Sequence, residues 1–177
     1  MKRTATTFCV MALAFVVAQP LPAQEEAAAG SRVAVTLGDV SRMREVKHLR
    51  GAQQRDTTQA IQSLAGWLQH QAERRLPAEQ SLQITLRDVD LAGEYEPGRM
   101  SDMHDIRIIK TLYPPRIELE YRLSDASGTV LREGEATLRD TGFLLGAGPL
   151  GSDPLRYEKR MLRDWLRSIT MQEERQD

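Results

Sequence analysis

Cysteine is nearly absent from this sequence: among 177 residues only Cys9 carries a thiol. It follows Phe8 at the start of an apolar run that continues to Ala18. A lipoprotein signal places its cysteine at the cleavage point after a small residue, so Cys9 does not read as a lipidation site. The run spans about 16 Å as a helix, against the ~30 Å needed to cross a bilayer. Lys2 and Arg3 precede it, and the small residues Ala18 and Ala23 follow it. This is the pattern of a secretory signal peptide over residues 1–23, cut after Ala23, because a cut after Ala18 leaves Pro20 very near the new terminus. The exported chain then has no thiol. That excludes disulfides, a cysteine nucleophile and cysteine-ligated metal, although the compartment to which it is exported permits disulfides.

A second long hydrophobic run is also missing, so no transmembrane segment is expected in the mature chain. A basic excess is missing too. Removing residues 1–23 takes away Lys2 and Arg3 and no acid, leaving 22 basic against 25 acidic side chains, a net of −3. Binding nucleic acid needs cations to displace counterions from phosphates, so no nucleic-acid partner is expected. Nucleophile signatures are lacking as well. No G-x-S-x-G stretch occurs, and His48, His70 and His104 have no recognisable catalytic context. His48 and His70 read as surface residues.

What is present reads as one domain over residues 32–170, between a disordered leader at 24–31 and a disordered tail at 171–177. Arg32 to Leu37 alternates as a first strand, and 38–56 has little apolar content and reads as loop. Ile61, Leu64, Ala65, Leu68 and Ala72 place one apolar face on a helix of about 57–75, which Pro77 ends. Leu82, Ile84 and Leu86 alternate as a strand. The next apolar positions, Val89 and Leu91, are out of phase, so the chain bulges near Arg87-Asp88. Residues 93–105 read as an exposed loop and 106–112 as a third strand. Residues 117–123 and 130–138 form a hairpin around the turn Asp125-Ala126-Ser127-Gly128. Asp153 caps a last helix that begins with Pro154. The order predicts an α+β two-layer sandwich, a mostly antiparallel sheet of about five strands with two helices packed on one face.

Four constellations invite a chemical reading. Asp88 and Asp90, with His104 and Asp105 in a later loop, are candidates for a divalent cation site, though no ligand spacing supports one and no metal or other cofactor is expected. A carboxylate pair of the glycosidase type can be drawn from Asp88, Asp90, Glu94 and Glu96, with nothing to select two of them. Gly146 to Gly151 fits GxGxxG, but no parallel strand follows its helix and Pro149 removes an amide, so it reads as a connector. The tetrapeptide TLRD occurs at 85–88 and 137–140 without flanking similarity, and reads as two strand ends carrying exposed ion pairs.

The last helix is the most informative surface. Leu155, Met161, Leu162, Trp165, Leu166 and Ile169 share one arc of about 140° and face the sheet. Arg156, Lys159, Arg160, Arg163 and Arg167 share the opposite side, within about 100°. This basic stripe is a candidate contact for an anionic envelope surface or an acidic protein face.

The stretches DVDLAGEYEP (88–97), YPPRIELEYRLSDASGTVLREGEATLRD (113–140) and LRYEKRMLRDWL (155–166) together resemble an uncharacterised family of exported Gram-negative bacterial proteins, domain of unknown function 3016. The resemblance covers most of the mature chain. It implies a periplasmic location and a small single domain, and it brings no catalytic residues. Its pattern is recognisable at Asp88, Asp90, Leu91, Gly93, Asp140, Tyr157, Glu158, Lys159 and Trp165. For Gly93 a positive φ is expected as the chain leaves the bulge, and for Glu158 and Lys159 bonds to loop backbone such as 142–151. The function these features favour is a non-enzymatic interaction or binding module of the envelope, using the open face of the sheet or the basic stripe. The alternative is an envelope hydrolase or metal-dependent enzyme centred on Asp88 and Asp90.

Overall fold

The structure, a computed structural model, describes residues 31–96, 106–145 and 153–170. Four strands, β1 (Val33–Leu37), β2 (Gln80–Asp90), β3 (Arg116–Asp125) and β4 (Val130–Arg139), lie in that order across one sheet. Helix α1 (Gly51–Arg75) joins β1 to β2, and α2 (Arg156–Thr170) follows β4. The fold is α+β, but the sheet is mixed and has four strands among the described residues. β1 runs parallel to β2, and only the β2–β3 and β3–β4 pairs are antiparallel. A strand that returns through a long helix reaches its neighbour in the same direction, whereas a tight turn reverses it.

The expected strand at 106–112 does not form. Ile108 makes a single bridge to Glu94, while Ile106, Ile109 and Leu112 are exposed. β2 already has β1 on one side and β3 on the other, so this segment meets the residues just beyond the end of β2 instead. The expected loop at 38–56 is also corrected. Asp39 accepts from the Ser41 amide and opens a 3-10 turn at Val40–Arg42. Successive three-residue turns then bond Met43 to Val40, Val46 to Met43 and Leu49 to Val46. That step puts Met43, Val46 and Leu49 on one side, and all three are buried. Helix α1 starts at Gly51 rather than near 57, because Ala52, Gln53, Gln54 and Arg55 are good helix formers that extend it without an apolar face.

Both helices cover the same face of the sheet. Leu82, Ile84, Leu86, Ile117, Leu119 and Leu123 from the sheet join Ile61, Leu64 and Leu68 of α1 and Leu162, Leu166 and Ile169 of α2 in one core. Each such side chain contributes roughly 1.5–3 kcal/mol by leaving water. Trp165 packs edge-on against Tyr121, with ring centroids 5.5 Å apart. The phase break near Arg87 is a bulge: the β2–β3 register shifts between Leu86 and Asp88, which turns Val89 and Leu91 into the core. The first TLRD therefore lies inside β2 at this bulge, not at a strand end, and only the second stands where a strand stops.

Candidate functional site

Beyond the bulge, β2 ends at Asp90 and the chain turns through Leu91, Ala92 and Gly93, all buried. Gly93 has φ 89°, and a Cβ there would lie 2.6 Å from Ile109 Cδ1 and 2.7 Å from the Ile108 carbonyl oxygen. Two buried carboxylates hold this turn from opposite elements. Glu45 Oε2 accepts from the Leu91 amide at 2.8 Å, and Glu158 Oε1, on α2, accepts from the Ala92 amide at 2.7 Å. Arg107 completes the grip. It donates to the Gly93 carbonyl at 2.8 Å, forms an ion pair with Glu45 and lies over the Tyr95 ring.

The electrostatics follow from this burial. Burial lifts the Glu45 carboxyl above its ordinary value, against the Arg107 charge and the Leu91 amide, with the Asp90 charge adding to the rise. Asp90 is also raised, by burial first. Arg44 opposes that rise, the Asp88 and Glu94 charges add to it, and a hydrogen bond with Glu45 opposes it. Burial works against the Arg107 charge, but Glu45 and Tyr95 more than offset it. Glu158 is raised by burial against the Ala92 amide, and its Oε2 has no hydrogen-bond partner among the described residues.

Glu158 makes this arrangement visible in the pH dependence of stability. A carboxyl whose folded pKa lies above its unfolded value contributes stability that is complete below the unfolded pKa and lost as pH rises through the folded one. Glu158→Gln mimics the protonated acid at every pH and keeps the acceptor for Ala92. The difference in Tm between Glu158→Gln and wild type should therefore move in favour of the variant as pH rises from about 4 to about 8. A difference that stays flat across that range would show that burial does not perturb this carboxyl.

The start of α2 fastens the rest of this end of the molecule. Asp153 caps it, accepting from the Leu155 amide at 2.9 Å. Tyr157 packs edge-on against Phe143, and Arg160 reaches both Asp140 Oδ2 at 2.7 Å and the Phe143 carbonyl at 2.9 Å. Among the described residues Glu158 thus bonds the 91–93 turn, and the contact to Phe143 comes from Arg160. Lys159 pairs with Asp153 at 2.7 Å, and Arg156 donates to the Asp153 carbonyl and the Tyr157 hydroxyl. Lys159 and Arg163 lie beside the Trp67 ring, and Arg167 approaches Asp164. Most of the basic stripe is engaged by its own chain.

The opposite face of the sheet is covered by no described element. Its side chains form cross-strand rows: Gln83, Arg122 and Glu133; Thr85, Glu120 and Glu135; Asp88, Glu118 and Thr137; Asp90, Arg116 and Arg139. Arg122–Glu133, Arg87–Glu120 and Arg116–Glu118 are ion pairs, and Arg44 pairs with Asp88 from the side. A depression of about 410 Å³ crosses the middle of this face. A polar cleft of about 190 Å³ at its end is lined by Arg44, Asp90, Glu94, Tyr113, Arg116 and Arg139.

Of the metal candidates, Asp88 is bound to Arg44 through the backbone amide at 2.6 Å and the guanidinium, while Asp90 lines the polar cleft. His104 and Asp105 lie outside the described residues, as do the GxGxxG segment at 146–151, residues 1–30 and the tail at 171–177. Among the described residues no group of three or more His, Cys, Asp or Glu side chains is placed to hold a metal. Of the paired acids, Glu96 pairs with Lys110 and accepts from the Tyr113 hydroxyl, and Glu94 accepts from the Tyr95 amide. Glu45 and Arg107 are not among the residues the sequence singles out. The spacing of Met43, Val46 and Leu49 signals a buried turn that would carry Glu45 with it, but nothing local marks Arg107.

No described helix is long and apolar enough to cross a membrane. No curated protein and no solved structure matches the chain. Residues 31–168, which include every element of the fold except the last two residues of α2 and hold both buried carboxylates, match the family described as protein of unknown function (DUF3016), and the chain belongs to that family.

Proposed function

We propose that this protein is exported to the periplasm after loss of residues 1–23 and acts there as a non-enzymatic binding module of the cell envelope, with the open face of the sheet as its contact surface. The observation that carries this reading is the contrast between the two candidate surfaces. The stripe's cations are largely satisfied within the chain, whereas the open face presents four strands of charged and hydroxyl side chains that no described element covers. Acids and arginines both stand on it, Glu120 beside Glu135 and Asp88 beside Glu118 in the middle rows, Arg122 and the neighbouring Arg116 and Arg139 in the outer ones. Such a pattern suits a folded protein with matching charges better than a uniformly anionic surface.

The test is crosslinking of the tagged protein in the intact periplasm. Glu120→Arg with Glu135→Arg should abolish a specific adduct that Arg163→Glu with Arg167→Glu leaves unchanged. The reverse outcome would move the interface to the stripe, and an absence of any specific adduct would contradict a binding role.

One observation favours the hydrolase alternative: Asp90 lines the polar cleft, and burial together with the Asp88 and Glu94 charges raises its carboxyl, an arrangement that can hold a proton for general acid chemistry. Asp90→Asn separates the two readings. A binding module keeps its partner in that variant, and a hydrolase loses its activity.

A further inference from the structure

β4 ends the sheet, and no described element pairs with its outer edge. Ten residues of extended backbone, Val130–Arg139, therefore present a row of unpaired amides and carbonyls. Proteins usually blunt such an edge with proline, lysine or a bulge. β4 contains neither proline nor lysine, and its one register shift lies at its start, opposite Leu123 and Ser124.

We infer that this edge is a self-association surface, at which a second copy of the chain adds its own β4 antiparallel about a twofold axis at Ala136. The charges select both the occupant and the register. With the axis at Ala136, Glu133 of each copy faces Arg139 of the other, and Glu135 faces Thr137, all on the open face. On the helix face Ala136 meets its own equivalent and Gly134 meets Leu138, so small residues occupy the centre. Moving the axis to Glu135 sets that carboxylate against itself, and moving it to Gly134 sets Glu133 against Glu135. Moving it to Thr137 shortens the overlap. Like charges directly opposite are unfavourable, which leaves Ala136 as the longest register with none. Arg139 and Glu135 form no ion pair within their own chain among the described residues. The joined sheet has twice the strands and one continuous open face. The inference does not depend on what that face binds.

Sedimentation equilibrium of the purified protein tests it. Wild type is expected to dimerise. Glu133→Arg places arginine against Arg139, and Arg139→Glu places glutamate against Glu133. Each variant should weaken the dimer roughly tenfold or more. An equimolar mixture of the two variants should associate again, since every opposed pair is then complementary, and the doubly reversed chain should recover self-association. Recovery in the mixture also shows that both variants are folded. A monomeric wild type, single variants that dimerise as well as wild type, or a mixture that stays monomeric would each overturn the inference.

Discussion

Arg107→Met is expected to destabilise the protein by about 3–5 kcal/mol, the range for removing one partner of a buried ion pair. Methionine keeps much of the aliphatic packing, so the loss isolates the guanidinium. Glu45 is left with a side chain only 5% exposed, bonded to the Leu91 amide but deprived of its cation, and the Gly93 carbonyl loses its donor. Removing Arg107 takes away the main charge that lowers the Glu45 pKa, which burial already holds above its ordinary value. The sign of the pH effect follows. The carboxylate's cost applies above the folded pKa and disappears below the unfolded one, so the deficit of Arg107→Met should be largest near pH 8 and shrink towards about pH 4. Adding Glu45→Gln, which still accepts from Leu91, should recover part of the loss at neutral pH. Chemical denaturation of the single and double variants at both pH values measures this. A deficit that is independent of pH and untouched by Glu45→Gln would mean that Arg107 acts through packing alone.

Gly93→Ala should be comparably severe, about 3–5 kcal/mol, from two causes that act together. A non-glycine residue at φ 89° is strained by about 1–3 kcal/mol. The new methyl also meets the Ile108 carbonyl at 2.7 Å, a backbone atom held by its bridge to Glu94, so the 106–110 segment must move. Gly128 is the internal comparison. It has φ 85° in the β3–β4 turn, and a methyl added there would meet nothing within 4 Å, so Gly128→Ala carries the strain without the clash. Thermal unfolding should show the larger fall for Gly93→Ala, at about 2–4 °C per kcal/mol for a chain of this size. Equal falls for the two variants would show that the close approach of 93 to 108 contributes nothing.

These two residues also show where the sequence is legible. The turn at Gly93 can be read, because a change of hydrophobic phase at Arg87-Asp88 followed by a glycine is a local signal. The capping role of Asp153 and the apolar arc of α2 are local in the same way. Glu45 and Arg107 are not legible, because their pairing closes a loop of 62 residues and depends on which elements meet at the end of β2. The parallel pairing of β1 is announced by the order strand, helix, strand, yet alternation alone does not reveal it. Alternation shows which face a strand buries, and direction comes from the connection. Residues 38–56 look like loop from their charge, while three apolar residues at three-residue spacing are enough to bury the segment. At the candidate surface, strand alternation places Thr85, Glu118, Glu120 and Glu135 away from the core. That no described element covers them is a property of the assembled fold.

The measurement that tests the central claim most directly is site-specific photo-crosslinking in the intact periplasm, with the reactive residue at Glu120 on the open face or at Arg163 on the stripe. A specific protein adduct from position 120 and none from 163 is the predicted result. Adducts from 163 alone, or from neither position, would contradict the assignment of the open face as the contact surface.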